Sequence, residues 1–570
     1  MQQPAAPQAP APAAPAAAAA QAPAGTQAQA PSVASMRPEP RPIMMEGEGK
    51  FGGTLKYVPQ GSIKFIDPMA TGAIVTGTVG RHSYDQLFWR NANYEIFPQM
   101  LESWDISEDG TAYTFKVRGG QMFHNGDPLR MVDIAESHNR FARVDPLGRQ
   151  LLDISAGNAG KERPDQVFNQ TLDEANNTIV MTFEQPTAMV LEFLAQLDPR
   201  QPSIMHEDIW SVAPGQPVDI GIGTAAYELV EWIPGEVLKF EKFMDYVPNT
   251  GEPWDFTKGE ITQYLDGFDA LDIPDHATRV AAIQTGEVDV LDDFRIDLAQ
   301  TLTGAAGVEW SPIRDGNYGG TSFNLNHPPF DTSEAGRLSR QAVYAVAPND
   351  RIMQAAVGDE SMWTECYLVI HCGTPWGSVV SDEIQAQGIK TRSGDLETAK
   401  RLLDEAEALR PGTKDMDVRI IAASDMPFMP EAGLVMHEAM KEMGFTNVEL
   451  VSLDWASRVA LTGSEGPWEI ATTWSNFANG LNPLAPHMPG PTSAAGYDEP
   501  RMADLRGEFL VETDPEILQN LYDEMNRTIY NNPHSINHFM FSPPRAIRAD
   551  VKGFCLDCLF PILHNVWLDR

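Results

Sequence analysis

The sequence predicts an α/β protein with more than one domain, and three observations support this. Residues 418–422 are strand-like and lie between two amphipathic helical segments, an alternation typical of α/β domains. The chain has 570 residues, which is too long for a single hydrophobic core. Hydrophobic residues make up 42% of the chain, and this is enough to fill the cores of two or three domains.

Residues 1–48 differ in composition from the rest of the chain. Residues 2–31 are nearly all alanine, proline and glutamine, so they bury too little apolar surface to offset the entropy lost on ordering. This composition predicts a disordered, semi-stiff tether. The first residues lack the basic and apolar segments of a signal peptide, and no run of 18 apolar residues occurs. We expect that Met1 replaces a cleaved leader or an acylated cysteine.

The folded part opens with strands and tight turns between residues 52 and 130. Apolar and polar side chains alternate over residues 113–118, which predicts a half-buried strand. Residues 108–110 and 124–128 supply the glycine, asparagine and aspartate that tight turns require. The segment therefore predicts short strands joined by turns.

Later segments of the sequence predict further strands and also helices. Residues 221–232 form a glycine-rich turn before a strand; preceding prolines and the alternating residues that follow exclude a dinucleotide-binding fingerprint. Residues 281–290 predict a helix that ends at Gly286 and leads into a short strand. Asp395 is placed to cap the first of the two amphipathic helices, and Gly444 to end the second.

The chain is strongly acidic, with a net charge of −38 from 79 acidic and 41 basic residues. Such a charge repels nucleic acids and anionic lipid head groups, so we expect neither as a partner. We interpret the acidic excess as a means of surface solubility, and adaptation to a saline habitat stays open.

The four cysteines occur as two close pairs, Cys366 with Cys372 and Cys555 with Cys558. Four cysteines allow three disulfide connectivities. A zinc site is the alternative, but one spacing does not suit a zinc ribbon and the pairs are far apart in the sequence. We therefore favour two local disulfides formed in an oxidising compartment.

No motif in the sequence indicates an enzyme. A nucleophile elbow and a phosphate-binding loop are both absent from it. His437 is followed four residues later by Lys441, so it does not form a zinc-protease pair, and His534 with His538 follows a turn-forming Asn-Pro. We predict no catalytic residues, no cofactor and no bound metal.

The motifs of residues 52–130, 221–236, 281–290 and 321–343 together resemble the family 5 extracellular solute-binding proteins, which bind peptides, opines, nickel or haem for ABC importers. The resemblance implies a two-lobed periplasmic-binding-protein-like fold of the large class, with an extra inserted subdomain and the ligand cleft between the lobes. It also implies a monomer located in the periplasm or another extracytoplasmic site. The implied divisions are a tether at 1–48, a first lobe at 51–86, 220–313 and 530–570, its inserted subdomain at 87–219, and a second lobe at 314–529.

The resemblance also indicates where a ligand binds. Arg200 matches a region where some family members place an arginine on the cleft wall, and such a residue can bind a carboxylate through two parallel hydrogen bonds; a solvated surface arginine is the alternative. The other candidate ligand-binding residues are Thr71, Gly72, Tyr318, Trp363, Trp376, Trp474, Asn476, Phe477 and Asn479. For each of the three tryptophans among them, packing in the core is the alternative role.

One departure from the family pattern concerns the ligand. Peptide-binding members carry an aspartate three residues after a tryptophan, and this aspartate binds the free amino terminus of the peptide. Here Trp474 is followed by Phe477, and the amides of Asn476 and Asn479 cannot neutralise a buried ammonium group. The sequence therefore predicts a ligand other than a standard free-amine peptide.

The sequence leaves four functions open. The first is a solute-binding receptor that delivers its ligand to an ABC permease, with a peptide receptor as its closest variant. The second is a chemosensory receptor of the same fold that presents its ligand to a sensor protein. The third is a secreted hydrolase, which would turn over a bound ligand. The fourth is a structural surface protein, which would show no ligand-dependent thermal shift.

Overall fold

The computed structural model describes residues 48–71, 73–197, 200–213, 216, 218, 220–314, 316–366, 376, 380, 383, 393–424, 426, 428–462, 466–475, 481, 483–484, 496–497 and 499–570. Within them the chain forms three larger sheets, with helices packed on them, and two short two-stranded sheets. The predicted α/β class is confirmed. None of the helices in these ranges is both long and apolar enough to cross a membrane.

The first lobe is built on a mixed sheet of seven strands. Its central strand, Thr54–Val58, runs parallel to a strand on either side, and Leu55 and Tyr57 are buried in it. Three helices lie between strands of this sheet in the sequence, namely Ile74–Gly80, His276–Thr285 and Ile296–Ala299. In sheet order the strands are Val308–Pro312, Pro544–Arg548, Val290–Leu291, Thr54–Val58, Gly267–Leu271, Val237–Lys242 and Tyr227–Ile233.

A four-stranded antiparallel sheet lies in the segment predicted as the inserted subdomain. Tyr113, Phe115 and Val117 are buried on one face of its second strand, as their alternation predicts. Its strands in order are Leu101–Ile106, Ala112–Val117, Thr178–Thr182 and Asn169–Asp173. Its helices are Met131–Val144, Pro146–Ile154, Met189–Leu194 and Glu207–Trp210. Two small strand pairs, Phe88–Arg90 with Ile96–Pro98 and Val551–Lys552 with Trp567–Leu568, complete this half of the molecule.

The second lobe is built on a sheet of six strands. In sheet order these are Trp363–Glu365, Ser535–Phe541, Asn317–Phe323, Ile470–Ser475, Asp417–Ala423 and Asn447–Leu453. Its helices are Glu334–Val346, Asn349–Ala356, Leu396–Leu409, Met429–Met443, Trp455–Thr462, Pro500–Val511 and Pro515–Asn531. Across both lobes, short 3₁₀ helices lie at Arg163–Asp165, Gln300–Leu302, Glu360–Met362 and Thr413–Asp415.

The chain passes between the two large sheets at two adjacent crossings, of which the structure describes residues 313, 314 and 316 in the first and residues 542–543 in the second. The Ile313 amide donates a hydrogen bond to the Pro543 carbonyl at 3.0 Å, so the crossings are joined. The strand Ser535–Phe541 pairs with Asn317–Phe323 in the second sheet. The return crossing therefore follows Phe541 instead of lying near Tyr530, where the sequence placed it, because strand partners are set by contacts that are distant in sequence.

Local predictions about helix ends agree with the structure. The Asp395 carboxylate accepts a hydrogen bond from the Thr398 amide at 2.9 Å and caps the helix that follows. Gly286 ends its helix with a φ of 81°, a left-handed conformation that glycine adopts without a steric penalty. Gly444 follows the end of the helix Met429–Met443, on which His437 lies half-buried.

One predicted disulfide lies wholly within the described residues. Cys555 and Cys558 are bonded to each other, with their Cα atoms 5.5 Å apart. Cys366 is also disulfide-bonded. Cys372, its predicted partner, lies outside the described residues.

We predict that His138 makes the fold sensitive to acid. Its side chain is buried on the helix Met131–Val144, and neither ring nitrogen has a hydrogen-bond partner within the described part of the chain. Burial lowers the pKa of His138 from 6.5 to about 3. Because the unfolded chain binds this proton below about pH 6.5 and the folded chain does not, stability falls as the pH drops from 6.5 towards 3.

The measurement is the free energy of unfolding of wild type and His138→Phe between pH 8 and pH 5. The ring of His138 packs edge-on against Phe193, so phenylalanine fits this apolar site. The wild type should lose up to about 1.4 kcal/mol more per pH unit than the variant below pH 6.5. The difference at pH 8, where histidine is neutral in both states, measures the change in packing together with the removal of the two buried ring nitrogens. Equal slopes for both proteins would contradict the prediction.

Candidate ligand cleft

A cluster of buried apolar side chains joins segments that belong to the two lobes. Tyr318 comes from the second sheet, whereas Phe560 follows the last strand of the first sheet. We call this set the inter-lobe cluster. Its members are Trp89, Tyr94, Leu197, Phe256, Tyr318, Cys366, Val380, Leu481, Cys558, Leu559, Phe560 and Ile562.

Two aromatic residues of the inter-lobe cluster have unusual backbone conformations. Tyr94 has a φ of 64° and Phe256 a φ of 60°, and their rings pack edge to face with centroids 6.2 Å apart. A positive φ is costly for an aromatic residue and occurs most often where function requires it. The conformations therefore mark these two rings as candidates for ligand contact.

Arg90 makes hydrogen bonds to the main chain at Tyr94 and to the residue next to Phe256. Its Nη1 donates to the Tyr94 carbonyl at 2.8 Å, and its carbonyl accepts from the Thr257 hydroxyl at 2.6 Å. The guanidinium also pairs with Glu192 at 2.6 Å, and both side chains are buried. The two aromatic rings are thus supported by a buried ion pair and by hydrogen bonds to the main chain.

A positive charge lies inside the inter-lobe cluster. Arg81 follows the helix Ile74–Gly80, and its guanidinium carbon is 3.8 Å from the centroid of the Phe560 ring. Its Nη2 donates to the Leu197 carbonyl at 3.1 Å. Burial, with a smaller contribution from the charge of Arg81, lowers the pKa of the adjacent His82 to about 3, so His82 is neutral beside this arginine.

A second polar group adjoins the cluster at Trp89. Burial raises the pKa of the Asp85 carboxyl to about 6, while the charge of Arg118 and a hydrogen bond from Trp89 act in the opposite direction. The two lowering interactions do not offset the loss of hydration. The side chain of Asp85 therefore changes charge near pH 6 at the edge of the cluster.

The sequence-predicted aromatic residues lie in different surroundings. Tyr318 belongs to the inter-lobe cluster, and Trp363 is half-buried at the start of its strand. Trp376 packs in the main core, where its ring meets Phe509 and Tyr522 at 5.4 and 5.8 Å between centroids. Trp376 therefore occupies the core position that was the alternative role for each tryptophan.

Trp474 and Tyr318 lie on neighbouring strands but face opposite sides of the sheet. Trp474 pairs with Gly319, whereas Tyr318 pairs with Ser475. Since cross-strand partners share a face and successive residues alternate, Trp474 and Tyr318 point apart. Trp474 accordingly packs against the main core and is half-buried, while Tyr318 reaches the inter-lobe cluster.

The two polar candidates within the described residues are Thr71 and Arg200. The Thr71 hydroxyl accepts a hydrogen bond from the Ala73 amide at 3.1 Å. Arg200 is half-buried, its Nε has no hydrogen-bond partner among the described residues, and its charge lowers the pKa of Asp145, which burial raises. Gly72, Asn476, Phe477 and Asn479 lie outside the described residues.

Sequence reasoning did not find Arg81, Tyr94, Phe256 and Phe560 as site residues. The two aromatic residues with positive φ have no sequence signal, because glycine and asparagine are the usual residues in that conformation. Arg81 and Phe560 are 479 positions apart and meet only in the folded chain.

One group of potential metal ligands occurs in the described part of the chain. It consists of Cys555, Asp557 and Cys558, whose ligand atoms lie within 4.8 Å of one another. The two sulfur atoms are bonded to each other, and Asp557 pairs with Arg314 at 3.6 Å. The bonded sulfurs are not thiolates, and thiolates are the form in which cysteine binds metal.

Two lobes joined by paired crossings, with an aromatic and cationic cluster between them, are the architecture of a receptor for small solutes. Residues 95–489 match the family described as bacterial extracellular solute-binding proteins, family 5 Middle. The chain belongs to this family. It is a solute-binding protein of the ABC importer type, a class of receptors that bind small ligands and deliver them to membrane permeases.

Three similar proteins illustrate the range of the family. A probable peptide ABC transporter periplasmic-binding protein, y4tO from Sinorhizobium fredii, is 27% identical over 431 residues, which cover 74% of this chain and 75% of that protein. The glutathione-binding protein of Pectobacterium atrosepticum is 23% identical over 293 residues, and this match spans about half of each chain. The structure of AgaA with agropinic acid from A. tumefaciens R10 has a TM-score of 0.70 at 20% identity and covers 91% of this chain and 99% of that one.

Proposed function

We propose that the protein captures a small acidic solute against the inter-lobe cluster and presents it to an ABC permease. The observation that carries this proposal is the position of Arg81, whose guanidinium lies over the ring of Phe560 and donates to the Leu197 carbonyl, both residues being members of the cluster. A dry, largely apolar cleft with a few charged groups suits a small ligand. A guanidinium in such a cleft favours a ligand with a carboxylate, because the two groups match in charge and in geometry.

The names of similar proteins support an acidic ligand. One relative is named for glutathione and one structure contains agropinic acid, and both of these ligands are acids. The relative y4tO is named for peptides and represents the alternative. Phe477, at the position of the peptide receptors' aspartate, argues against a free-amine peptide because it removes the partner of the ammonium group.

Further cleft contacts are part of the same proposal. We place Tyr94, Phe256 and Tyr318 on the ligand's apolar part, because all three belong to the inter-lobe cluster. Arg200 is a second candidate for an acidic group. Thr71, Gly72, Trp363, Trp474, Asn476 and Asn479 remain candidates for peripheral contacts. We also propose that the protein acts as a monomer, held at the extracytoplasmic face by residues 1–48.

The first test is native mass spectrometry of the protein as purified, followed by identification of any compound released on denaturation. Binding of small dicarboxylates, opine-like acids and free-amine dipeptides is then compared by calorimetry. A retained or preferred acidic solute supports the proposal. Preference for free-amine dipeptides would overturn it and favour the peptide-receptor alternative.

Replacing Arg200 with alanine is expected to weaken the best acidic ligand by roughly 10- to 100-fold, since a hydrogen bond to a charged group contributes about 1.5–3 kcal/mol. The matched control is Arg163→Ala, because Arg163 is 60% exposed and pairs with Asp153 on the surface. Calorimetric titration of both variants provides the comparison. Equal affinity in Arg200→Ala and Arg163→Ala would show that Arg200 is a solvated surface residue.

A further inference from the structure

The disulfide between Cys555 and Cys558 closes a four-residue loop beside the two crossings between the lobes. From the first crossing, the Arg314 amide donates to the Asp557 carbonyl at 2.8 Å. The Arg314 guanidinium also approaches the Asp557 carboxylate, with Nε 3.6 Å from Oδ2. The loop is thus bound to the segment through which the chain enters the second lobe.

The same loop is also bound by the strand Pro544–Arg548, which begins directly after the second crossing. Arg545, two residues after Pro543, is buried and donates from Nη1 to the Cys558 carbonyl at 2.6 Å and from Nη2 to the Leu559 carbonyl at 3.4 Å. Its guanidinium is fixed in turn by Asp292, at 2.8 Å from Nη2 and 3.1 Å from Nε. One short loop therefore contacts the first crossing directly and, through Arg545, the strand that begins directly after the second crossing.

The crossings are themselves in close contact. A Cβ atom at Gly316 would lie 2.1 Å from the Phe541 carbonyl oxygen, so only glycine allows this approach. Cys558, Leu559 and Phe560 belong to the inter-lobe cluster, which connects the loop to the candidate cleft. A change in loop conformation consequently reaches both the crossings and the ring beneath Arg81.

We propose that this disulfide is a redox-sensitive brace of the hinge, and that its reduction loosens both crossings and lowers the affinity of the cleft. The effect on affinity rests on the proposed function, whereas the effect on the crossings does not. Closing the loop covalently limits its backbone freedom and keeps three consecutive features, the Asp557 carboxylate and the Cys558 and Leu559 carbonyls, directed at Arg314 and Arg545.

The reducing step is a thiol–disulfide exchange with a dithiol. A thiolate of the dithiol attacks Sγ of Cys555, the more exposed of the two residues, and Cys558 leaves as a thiolate that takes up a proton. The second thiol of the reductant then attacks the mixed disulfide and releases Cys555. Two electrons and two protons pass to the protein, and the dithiol becomes a cyclic disulfide.

The test is amide hydrogen exchange of the ligand-free full chain, measured for wild type and for Cys555→Ser/Cys558→Ser, each with and without dithiothreitol. Exchange of peptides covering 313–316 and 542–545 should be at least about tenfold faster in the double variant and in reduced wild type. In the double variant dithiothreitol still reduces the disulfide of Cys366, so its effect on that variant measures the contribution of this second disulfide; at the two crossings we expect no further increase. Peptides covering residues 101–117, in the inserted subdomain, should exchange at the same rate in all four samples.

Two results would overturn the brace: unchanged exchange at the crossings, or an equal increase at residues 101–117, which indicates general destabilisation. A second measurement separates the two proposals. Calorimetry with the best acidic ligand should show weaker binding in the double variant. Faster exchange at the crossings without binding of any acidic solute by wild type supports the brace and overturns the proposed function, whereas equal affinity in both proteins overturns the link from brace to cleft.

Discussion

Replacing Arg140 with methionine is expected to lower the free energy of unfolding by about 3–5 kcal/mol, because it leaves a buried carboxylate without its partner. Arg140 Nη2 lies 2.6 Å from Asp67 Oδ2 and Nη1 lies 3.2 Å from Oδ1, and both side chains are almost completely buried. Among the residues that the structure describes, the remaining donor to the Asp67 carboxylate is the Met69 amide at 2.9 Å. A single amide cannot replace the charge of a guanidinium at a buried site.

Chemical denaturation of Arg140→Met, with two comparison variants, is the measurement. Arg401→Met removes a pair with Glu405 in which both side chains are about half exposed or more, and it should cost about 0.3–0.5 kcal/mol. Adding Asp67→Asn to Arg140→Met should recover more than about 1 kcal/mol, since the asparagine oxygen still accepts from the Met69 amide without a buried charge. A loss in Arg140→Met as small as that in Arg401→Met would contradict the expectation.

Gly223→Ala is expected to destabilise the first lobe by about 3 kcal/mol or more. A Cβ atom at this position would lie 1.9 Å from the Ser83 carbonyl oxygen and 2.8 Å from Cδ1 of Tyr84. The Ser83 carbonyl cannot move freely, because it accepts a hydrogen bond from the Ala225 amide at 3.2 Å. The glycine is thus required by the close approach of two main-chain segments.

The matched control is Gly507→Ala on the helix Pro500–Val511, where a new Cβ atom meets nothing within 4 Å. This substitution should stabilise the protein by about 0.5–1 kcal/mol, because alanine loses less backbone entropy in a helix. Thermal and chemical unfolding should show opposite changes in stability for the two variants. Wild-type stability in Gly223→Ala would show that residues 83 and 223 are not in contact.

The sequence predicted the features that neighbouring residues determine. The cap at Asp395 and the helix ends at Gly286 and Gly444 depend on side chains within one helical turn, and all three are present. The partner of the strand Ser535–Phe541 was not predictable in this way. It is selected by contacts with Asn317–Phe323, more than 200 residues away, so the sequence pattern shows a strand but not its sheet.

The candidate cleft was predictable only in part, for the same reason. Tyr318 was reached through a family resemblance, and it belongs to the inter-lobe cluster. Trp376 is a residue type that often contacts ligands. Its ring instead packs against Phe509 and Tyr522, which come from two later helices, and this makes Trp376 a core residue. Tyr94 and Phe256 depend on a backbone conformation that aromatic residues rarely adopt, which no pattern of residue types indicates.

The pairing of the two crossings restricts the directions in which the lobes move. Pro312 and Pro544 are opposite each other at the end of a five-residue antiparallel ladder, and the Pro543 carbonyl accepts the hydrogen bond from the Ile313 amide. Fixed proline φ angles stiffen both chain segments up to the crossings, and the ladder resists their twisting about each other. We therefore expect one dominant motion, a bending of the two lobes about an axis through residues 313, 314, 316 and 542. Ligand binding would then need to drive only this one rotation of the lobes.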